Sequence, residues 1–372
     1  MAVVLEEHSQ PRDRYQQTPC SFELFYFALK MLIPLKIRSV IPTIKLALYV
    51  SLLLLLANIF HHELCLPSCL ETDMKAIEIR RQTESQSQLA AVMQRLHVDD
   101  FHLLHSPPAC RGQVVSILVL TRPNNFQLRQ TIRRTWAKGY PVHFLLGSIQ
   151  DHSIQSQIDV EANKHHDLLQ GTFVDTYRNL TYKTLMGLAW AQDKCTTDYV
   201  VKTDDDTMVH VKNMQKYLLD LEYYWKVDQL DETTRSQRTP PSNRIHCHLM
   251  HHSRALRHPR SKWYVTHQEY SPKFYPTYCQ GALGIIYSQK ASRLLLDQIE
   301  NVKFLWLEDV YITGLLREKT KVEVFQVDKL NRGSNSTSRR ILSSVLGPTG
   351  LTSEKMEMVW YRLLQLRNIT IS

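Results

Sequence analysis

The chain has 372 residues and carries 45 Lys+Arg against 36 Asp+Glu, a formal charge of +9. Apolar residues at 43% and charged residues at 22% are globular proportions, which excludes wholesale disorder. Gly and Pro are too few and aperiodic for a collagen, no internal repeat suggests a solenoid, and Lys and Arg are spread without the runs of a nucleic-acid binder.

The first distinct element is Leu46–Phe60, fifteen residues without a charge. With Lys45 snorkelling at one end and His61-His62 at the interface on the other, it reads as a slightly short transmembrane signal anchor over 46–62. It lies too far along the chain for the core of a cleaved signal peptide. Arg12, Arg14, Lys30, Lys36, Arg38 and Lys45 precede it, whereas only Lys75 and Arg80 follow closely. The positive-inside rule then makes residues 1–45 a cytosolic tail and puts the rest in the lumen. Six cysteines (Cys65, Cys69, Cys110, Cys195, Cys247 and Cys279) fall on the luminal side, an even set for an oxidising compartment whose pairing stays open. Three N-glycosylation sequons, at Asn179, Asn335 and Asn368, fall there too. Residues 63–109, polar and ending in Pro107-Pro108, read as a luminal stem, and 110–372 as a single luminal domain.

From Val114 strands alternate with helices. Val114–Thr121 is a continuous apolar run, as in a strand buried on both faces. Leu128, Ile132 and Trp136 follow at helical spacing, then a strand over Val142–Ser148 and a polar helix to about His166. A strand over Gly171–Thr176, a helix from Leu180 to about Lys194 and a strand over Asp198–Thr203 continue the alternation. This pattern predicts an α/β fold with a mostly parallel sheet, whose ligands bind beyond the C-terminal strand ends, here the loops after Thr121 and Thr203. Residues 228–262 read as a long charged excursion without periodicity. Beyond it a buried strand is expected over Cys279–Ser288, helices over Gln289–Glu300 and Asp309–Lys319, a short strand over Val322–Val327, and a mixed tail.

The strand ending at Thr203 runs into Asp204-Asp205-Asp206. In extended chain Asp204 and Asp206 share one face, with Lys202 behind them. Adjacent carboxylates repel, and a hard divalent cation with oxygen ligands is their natural partner. A second acidic pair, Glu308-Asp309, opens a helix, where acids also serve as dipole partners. His246, Cys247, His248, His251, His252 and His258 invite a zinc reading, but their spacing fits no recognised finger; a basic, partly titrating loop near a ligand cleft is the preferred reading.

These motifs together resemble the β-1,3-glycosyltransferases of the galactosyltransferase, brainiac and Fringe-related group. The resemblance rests, in order, on Arg129–Trp136 (RQTIRRTW), Phe173–Thr184 (FVDTYRNLTYKT), Val200–Asp206 (VVKTDDD), Ser261–Val265 (SKWYV), Tyr275–Gly281 (YPTYCQG) and Glu308–Gly314 (EDVYITG). It implies a type II membrane enzyme of the Golgi or endoplasmic reticulum with a GT-A-type nucleotide-sugar-binding fold. It also implies a UDP-sugar donor, Mn²⁺, and inversion at the anomeric carbon. Asp206, with Asp204, would hold the metal, and Asp309 would be the general base, with Glu308 its rival or support. Arg129, Arg133, Lys183, Lys202, Asp204 and Asp205 would face the donor; Trp263, Tyr264 and Gly281 would face the acceptor sugar. The pattern departs from the family at Gly281–Gly284, which brackets Ala282-Leu283, and at Thr207–His210 after the acidic triplet. By the resemblance, both departures lie near where the donor sugar or acceptor would sit.

The expected activity is transfer of galactose from UDP-galactose in β-1,3 linkage to a glycan on a glycoprotein or glycolipid. Transfer of N-acetylglucosamine and a catalytically silent, membrane-anchored glycan-binding protein are the alternatives. Expected partners are the UDP-sugar, the glycan and the membrane, with no nucleic acid; homodimerisation stays open.

Overall fold

The computed structural model describes residues 89–111, 114–228, 243–327 and 344–370. The tail and membrane span expected over 1–62, and the stem up to residue 88, lie outside the described residues. Among the described residues no helix is long and apolar enough to cross a membrane.

An eight-stranded sheet organises this body. Its strands are β1 (Leu103–His105), β2 (Val115–Leu120), β3 (Val142–Ser148), β4 (Leu168–Val174), β5 (Tyr199–Asp204), β6 (Arg244–Cys247), β9 (Ile285–Ser288) and β10 (Glu323–Gln326), in the order β1-β4-β3-β2-β5-β9-β6-β10. A separate ribbon pairs β7 (Leu249–Met250) with β8 (Tyr278–Cys279). β4, β3, β2 and β5 are mutually parallel, as the apolar runs predict, and β9 is antiparallel to both of its neighbours. The α/β fold with a mostly parallel sheet is thus present.

The helices are α1 (89–95), α2 (Phe126–Arg134), α3 (His152–His165), α4 (Leu180–Lys194), α5 (Val211–Asp228), α6 (Gln289–Leu296), α7 (Glu308–Val310, continuing as a π-helical turn over Tyr311–Leu316) and α8 (Ser353–Thr370). Side chains alternate across the sheet, so β2 feeds two cores. Val115, Ile117 and Val119 pack with Ile132 of α2, Trp136 just after it, Ile158 of α3, Met214 of α5 and Met356 of α8. Leu118 and Leu120 pack with α4, α6 and α7 on the opposite face. Right-handed crossovers require this division, because the chain steps one way from β2 to β4 and then reverses to β5. α4 lies close on the sheet because Gly187 has no side chain; a Cβ there would stand 2.5 Å from Leu145. Local caps fix the entries: Asp151 accepts from the backbone N–H groups of Ser153 and Ile154 ahead of α3, and Ser288 from that of Ala291 ahead of α6.

Four expectations are corrected here. The C-terminal part of the expected stem, 63–109, is body and not stem: Leu89, Val92, Met93 and Leu96 are buried in the second core, and β1 extends the sheet beside β4. The excursion expected over 228–262 contains β6, an interior strand between β9 and β10. It reads as loop because Arg244 and His246 are buried polar residues, both stacked on Phe325. The strand expected over Cys279–Ser288 is two strands split by a 3₁₀ turn over Gly281–Leu283. The mixed tail ends in an 18-residue helix, α8. Two disulfides, Cys110–Cys195 and Cys247–Cys279, close the body. The second removes Cys247 from any zinc site.

Candidate active site

The reversal of strand order between β2 and β5 opens a crevice at their C-terminal ends, the expected ligand position of such a sheet. Register brings Leu120 opposite Asp204, so the loop after β2 meets the acidic triplet. The three aspartates are each half-buried but have different surroundings. Asp205 is bound to the β2 loop, where its Oδ2 accepts from the Thr121 hydroxyl and the Asn125 amide, both at 2.7 Å. Asp204 faces the Lys202 ammonium at 3.1 Å. Asp206 has the hydroxyls of Thr207 and Thr349 at 3.2 and 3.4 Å from Oδ1, and no basic side chain pairs with it among the described residues. Burial, then the charges of Asp204 and Asp205, push its carboxyl above the usual range.

Glu308 and Asp309 begin α7 on the other side of Lys202. Lys202 is 2% exposed, and its Nζ lies 3.1 Å from Asp204, 3.4 Å from Glu308 Oε2 and 3.4 Å from the Gly281 carbonyl oxygen. Buried among these carboxylates, its pKa is raised despite the cost of burial. Lys202 therefore joins the acidic triplet beside it to Glu308, 106 residues further along the chain, in one site. Gly281 permits the junction. A Cβ there would meet Glu308 at 3.1 Å and both Asp309 and Lys202 at 3.3 Å.

The two α7 acids are not equivalent. Glu308 is 7% exposed, its Oε1 has no hydrogen-bond partner, and burial pushes its carboxyl up to about 7 against the pull of Lys202. Asp309 is only half-buried. Its two oxygens accept the backbone N–H groups of Gly281 (3.3 Å) and Val310 (2.9 Å), which hold the carboxylate in one orientation. Burial raises its pKa, and these N–H groups and Lys202 oppose the rise.

Of the basic residues expected at the donor, Lys202 lies within the site, whereas Arg129, Arg133 and Lys183 are engaged with other protein groups. Arg129 is fully buried; it donates to Glu161 and to the carbonyl oxygens of Arg122 (2.8 Å) and Pro123 (3.1 Å), while Arg133 pairs with Glu161 and Asp167. The expected direct donor contact of Arg129 and Arg133 is thereby corrected, because their guanidinium groups are committed to this network. Lys183 is 2% exposed and binds Asp175 at 2.6 Å and the Thr121 carbonyl oxygen at 2.8 Å. Arg129 and Lys183 thus bond directly to the β2 loop that carries Thr121 and Asn125, and Arg133 buttresses Glu161 behind it.

On the opposite side, Trp263 is exposed, and its indole N–H donates to the Tyr177 hydroxyl at 3.0 Å. Tyr177 packs edge-on against Trp306, two residues before Glu308. Burial raises the Tyr177 pKa, to which the charges of Asp309, Asp204 and Glu308 add. Tyr264 is half-buried in the same loop. The Asn179 side chain donates to the Val174 carbonyl oxygen at 2.8 Å, and Thr181 of its sequon is buried. Asn335 and the side chain of Asn368 lie outside the described residues. Sequence reasoning missed Thr121, Asn125, Tyr177 and Thr349. Thr121 and Tyr177 sit in segments already singled out and were recoverable; nothing local marks Thr349, which comes 143 residues after Asp206.

The family model described as galactosyltransferase matches residues 127–328, a span that contains Lys202, the acidic triplet, Gly281, Glu308 and Asp309. The chain belongs to the galactosyltransferase family. Among curated relatives, β-1,3-galactosyltransferase 1 of Mus musculus and that of Homo sapiens are each 30% identical over 268 residues, 69% of this chain and 77% of the relative. β-1,3-Galactosyltransferase 5 of Gorilla gorilla gorilla is 30% identical over 236 residues, 60% of this chain and 73% of the relative. Solved structures give remote likenesses. A galactosyltransferase LgtC with donor and acceptor sugar analogs has 11% identity and a TM-score of 0.31, covering 66% of this chain and 95% of that one. A Pyrobaculum calidifontis mannosyltransferase with GDP-Man and Mn²⁺ has 14% identity and a TM-score of 0.28, covering 77% and 80%. At such scores neither carries an argument. The family membership places this chain among glycosyl-transferring enzymes and gives the five carboxylates around Lys202 a common context.

Proposed function

We propose that the protein is a β-1,3-galactosyltransferase of GT-A type that moves galactose from UDP-galactose to a glycan hydroxyl with inversion. The observation that carries this reading is the Lys202 junction, which sets an oriented, half-buried carboxylate beside an acidic triplet suited to a metal.

The donor set fits a hard divalent cation such as Mn²⁺. Asp204 and Asp206 offer carboxylate oxygens, and Asp206, its proton affinity raised by burial and then by its acidic neighbours, has no basic partner among the described residues. When bound, the metal supplies positive charge to the diphosphate leaving group. Asp205, fixed by Thr121 and Asn125, holds the β2 loop against the triplet. Asp309 takes the proton from the acceptor hydroxyl as that oxygen attacks the anomeric carbon and the bond to UDP breaks. Glu308, sealed against Lys202, is not positioned to reach an acceptor; it fixes the ammonium that spans the two motifs. The compartment reading, a single-pass type II Golgi protein with a luminal body, rests on the apolar run at 46–62 and its flanking charges.

The test is product formation by the purified full chain with a panel of UDP-sugars, simple glycan acceptors and Mn²⁺, with the linkage read by NMR. Acceptor-dependent transfer of galactose in β-1,3 linkage, lost on chelation, is expected. Asp309→Asn should lower kcat by about 10²–10⁴-fold, and Glu308→Gln should retain at least about tenfold more activity than that variant. No acceptor-dependent UDP release with any donor overturns the reading; full activity in Asp309→Asn moves the base elsewhere.

A further inference from the structure

The loop over 251–275 is the part of the site's surroundings that catalysis does not explain. It holds Arg254, Arg257, Arg260, Lys262 and Lys273 against one acid, Glu269, together with four histidines. Its charges are sorted. Arg257 is structural, donating to the carbonyl oxygens of Val265 (2.7 Å), Tyr270 (2.6 Å) and Pro272 (2.9 Å), which fixes the path of the loop. Glu269 is consumed: it pairs with Arg178 and accepts from Thr266. Arg254, Arg260, Lys262 and Lys273 are left exposed without an acidic partner among the described residues.

Three of these four cations stand over aromatic faces. Lys262 lies 4.6 Å from the centre of the Trp263 ring and 5.7 Å from that of Tyr177, and Arg254 and Lys273 each lie 5.6 Å from Phe274. Trp263 and Tyr177 form the hydrogen-bonded aromatic ledge that leads through Trp306 to Glu308 and Asp309. A sugar stacked on that ledge therefore meets an unpaired ammonium. A crevice holding Asp204, Asp205, Asp206, Glu308 and Asp309 repels an anionic acceptor unless positive charge at its mouth offsets the repulsion. A neutral acceptor needs the ledge alone.

We propose that the acceptor is an acidic glycan, with a carboxylate or sulfate on the sugar next to the one receiving galactose. Lys262 binds that anion beside the Trp263–Tyr177 ledge, and Arg254, Arg260 and Lys273 continue the cationic track. The inference rests on the transferase reading above but adds the charge of the acceptor, which that reading leaves open.

The experiment compares three aryl disaccharide acceptors that differ at one sugar: neutral, 6-O-sulfated and uronic acid. Full-length protein is assayed with UDP-galactose, and binding of each disaccharide is measured separately by calorimetry. Expected is a kcat/KM at least about tenfold higher for a charged acceptor at low salt, carried by KM, and shrinking toward the neutral value near 0.5 M salt as screening sets in. The sulfate and uronate arms identify which anion is preferred. In Lys262→Ala the charged-to-neutral ratio should fall about 5- to 30-fold, and Lys262→Arg should restore it. Equal kcat/KM and equal affinity for neutral and charged disaccharides overturn the inference while leaving galactose transfer intact. So does a patch that binds phosphatidylserine vesicles without any acceptor preference. Tighter binding of the charged disaccharide with no transfer to any acceptor supports this site and overturns the transferase reading instead.

Discussion

Replacing Arg129 by Ala separates support of the β2 loop from contact with the donor. Its guanidinium is fully buried and donates to Glu161 (2.9 Å from Nε to Oε1) and to the carbonyl oxygens of Arg122 and Pro123, beneath a cation–π contact with Phe126. Removing one partner of a buried ion pair costs about 3–5 kcal/mol. Glu161 keeps Arg133 at 2.6 Å, which limits the loss, but two carbonyl oxygens lose their donor, at about 1 kcal/mol each. A total of about 3–5 kcal/mol corresponds to a fall in Tm of about 6–20 °C for a body of this size. Thermal unfolding by circular dichroism, with KM for UDP-galactose measured well below the transition, is the assay. The double variant Arg129→Met/Glu161→Met should recover much of the stability, because it removes both charges and leaves Arg133 with Asp167. A Tm within 2 °C of the parent, combined with a large rise in KM, would refute the reasoning and return Arg129 to the donor.

Two further outcomes follow from groups outside the crevice. Asp193 lines a cavity of about 350 Å³ with Val92, Arg95, Arg293 and Asp297; its Oδ2 is buried without a partner, and burial pushes its carboxyl up to about 7 against the pull of Lys194. The folded protein thus keeps a proton that the unfolded chain releases near pH 4, so stability falls as pH rises from about 4 to 7, by about 1–4 kcal/mol. Asp193→Asn should flatten that limb of a Tm-against-pH curve, raising Tm at pH 7 and leaving it unchanged near pH 4; an unaltered limb would place the titration elsewhere. The disulfides should part in their effects. Loop closure over separations of 85 and 32 residues gives about 4–5 kcal/mol for Cys110–Cys195 and about 3–4 kcal/mol for Cys247–Cys279. Because Cys279 lies two residues before Gly281, the Cys247→Ser/Cys279→Ser variant should lose kcat at temperatures where it is still folded, whereas Cys110→Ser/Cys195→Ser should lose stability alone; equal kcat losses would contradict this.

The parallel half of the sheet is legible because its information is local. Apolar runs mark β2 and β3, an apolar start at Tyr199–Val201 marks β5, and a 15-residue helical segment marks α4. What sequence reading missed is non-local. The apolar face of α1 is visible as Leu89, Val92, Met93 and Leu96, but its partners lie near α4, about a hundred residues away, so an integral helix reads as stem. β6 hides because its buried Arg244 and His246 are solvated by stacking on Phe325 of β10 and not by water. At the site, both acidic motifs and their two chain positions are legible, whereas the ion that joins them is not: Lys202 reads as a donor contact until Glu308 and Gly281 are placed around it. Arg129 fails for the same reason, since its partner Glu161 comes from the following helix.

The C-terminal segment that packs against the acidic triplet has a consequence for biosynthesis. The backbone N–H of Leu351 binds the Asp206 carbonyl oxygen, that of Met208 binds the Pro348 carbonyl oxygen, and the Thr349 hydroxyl reaches the Asp206 carboxylate. A nascent chain that has emitted every recognisable motif through Gly314 still lacks these contacts. At about 5–20 residues per second, the 143 residues between Asp206 and Thr349 take roughly 7–30 s to synthesise. Throughout that interval the acidic triplet is translated but unsupported, so a ribosome that stops shortly before Ser344 releases a chain with the whole family signature and an unfinished site.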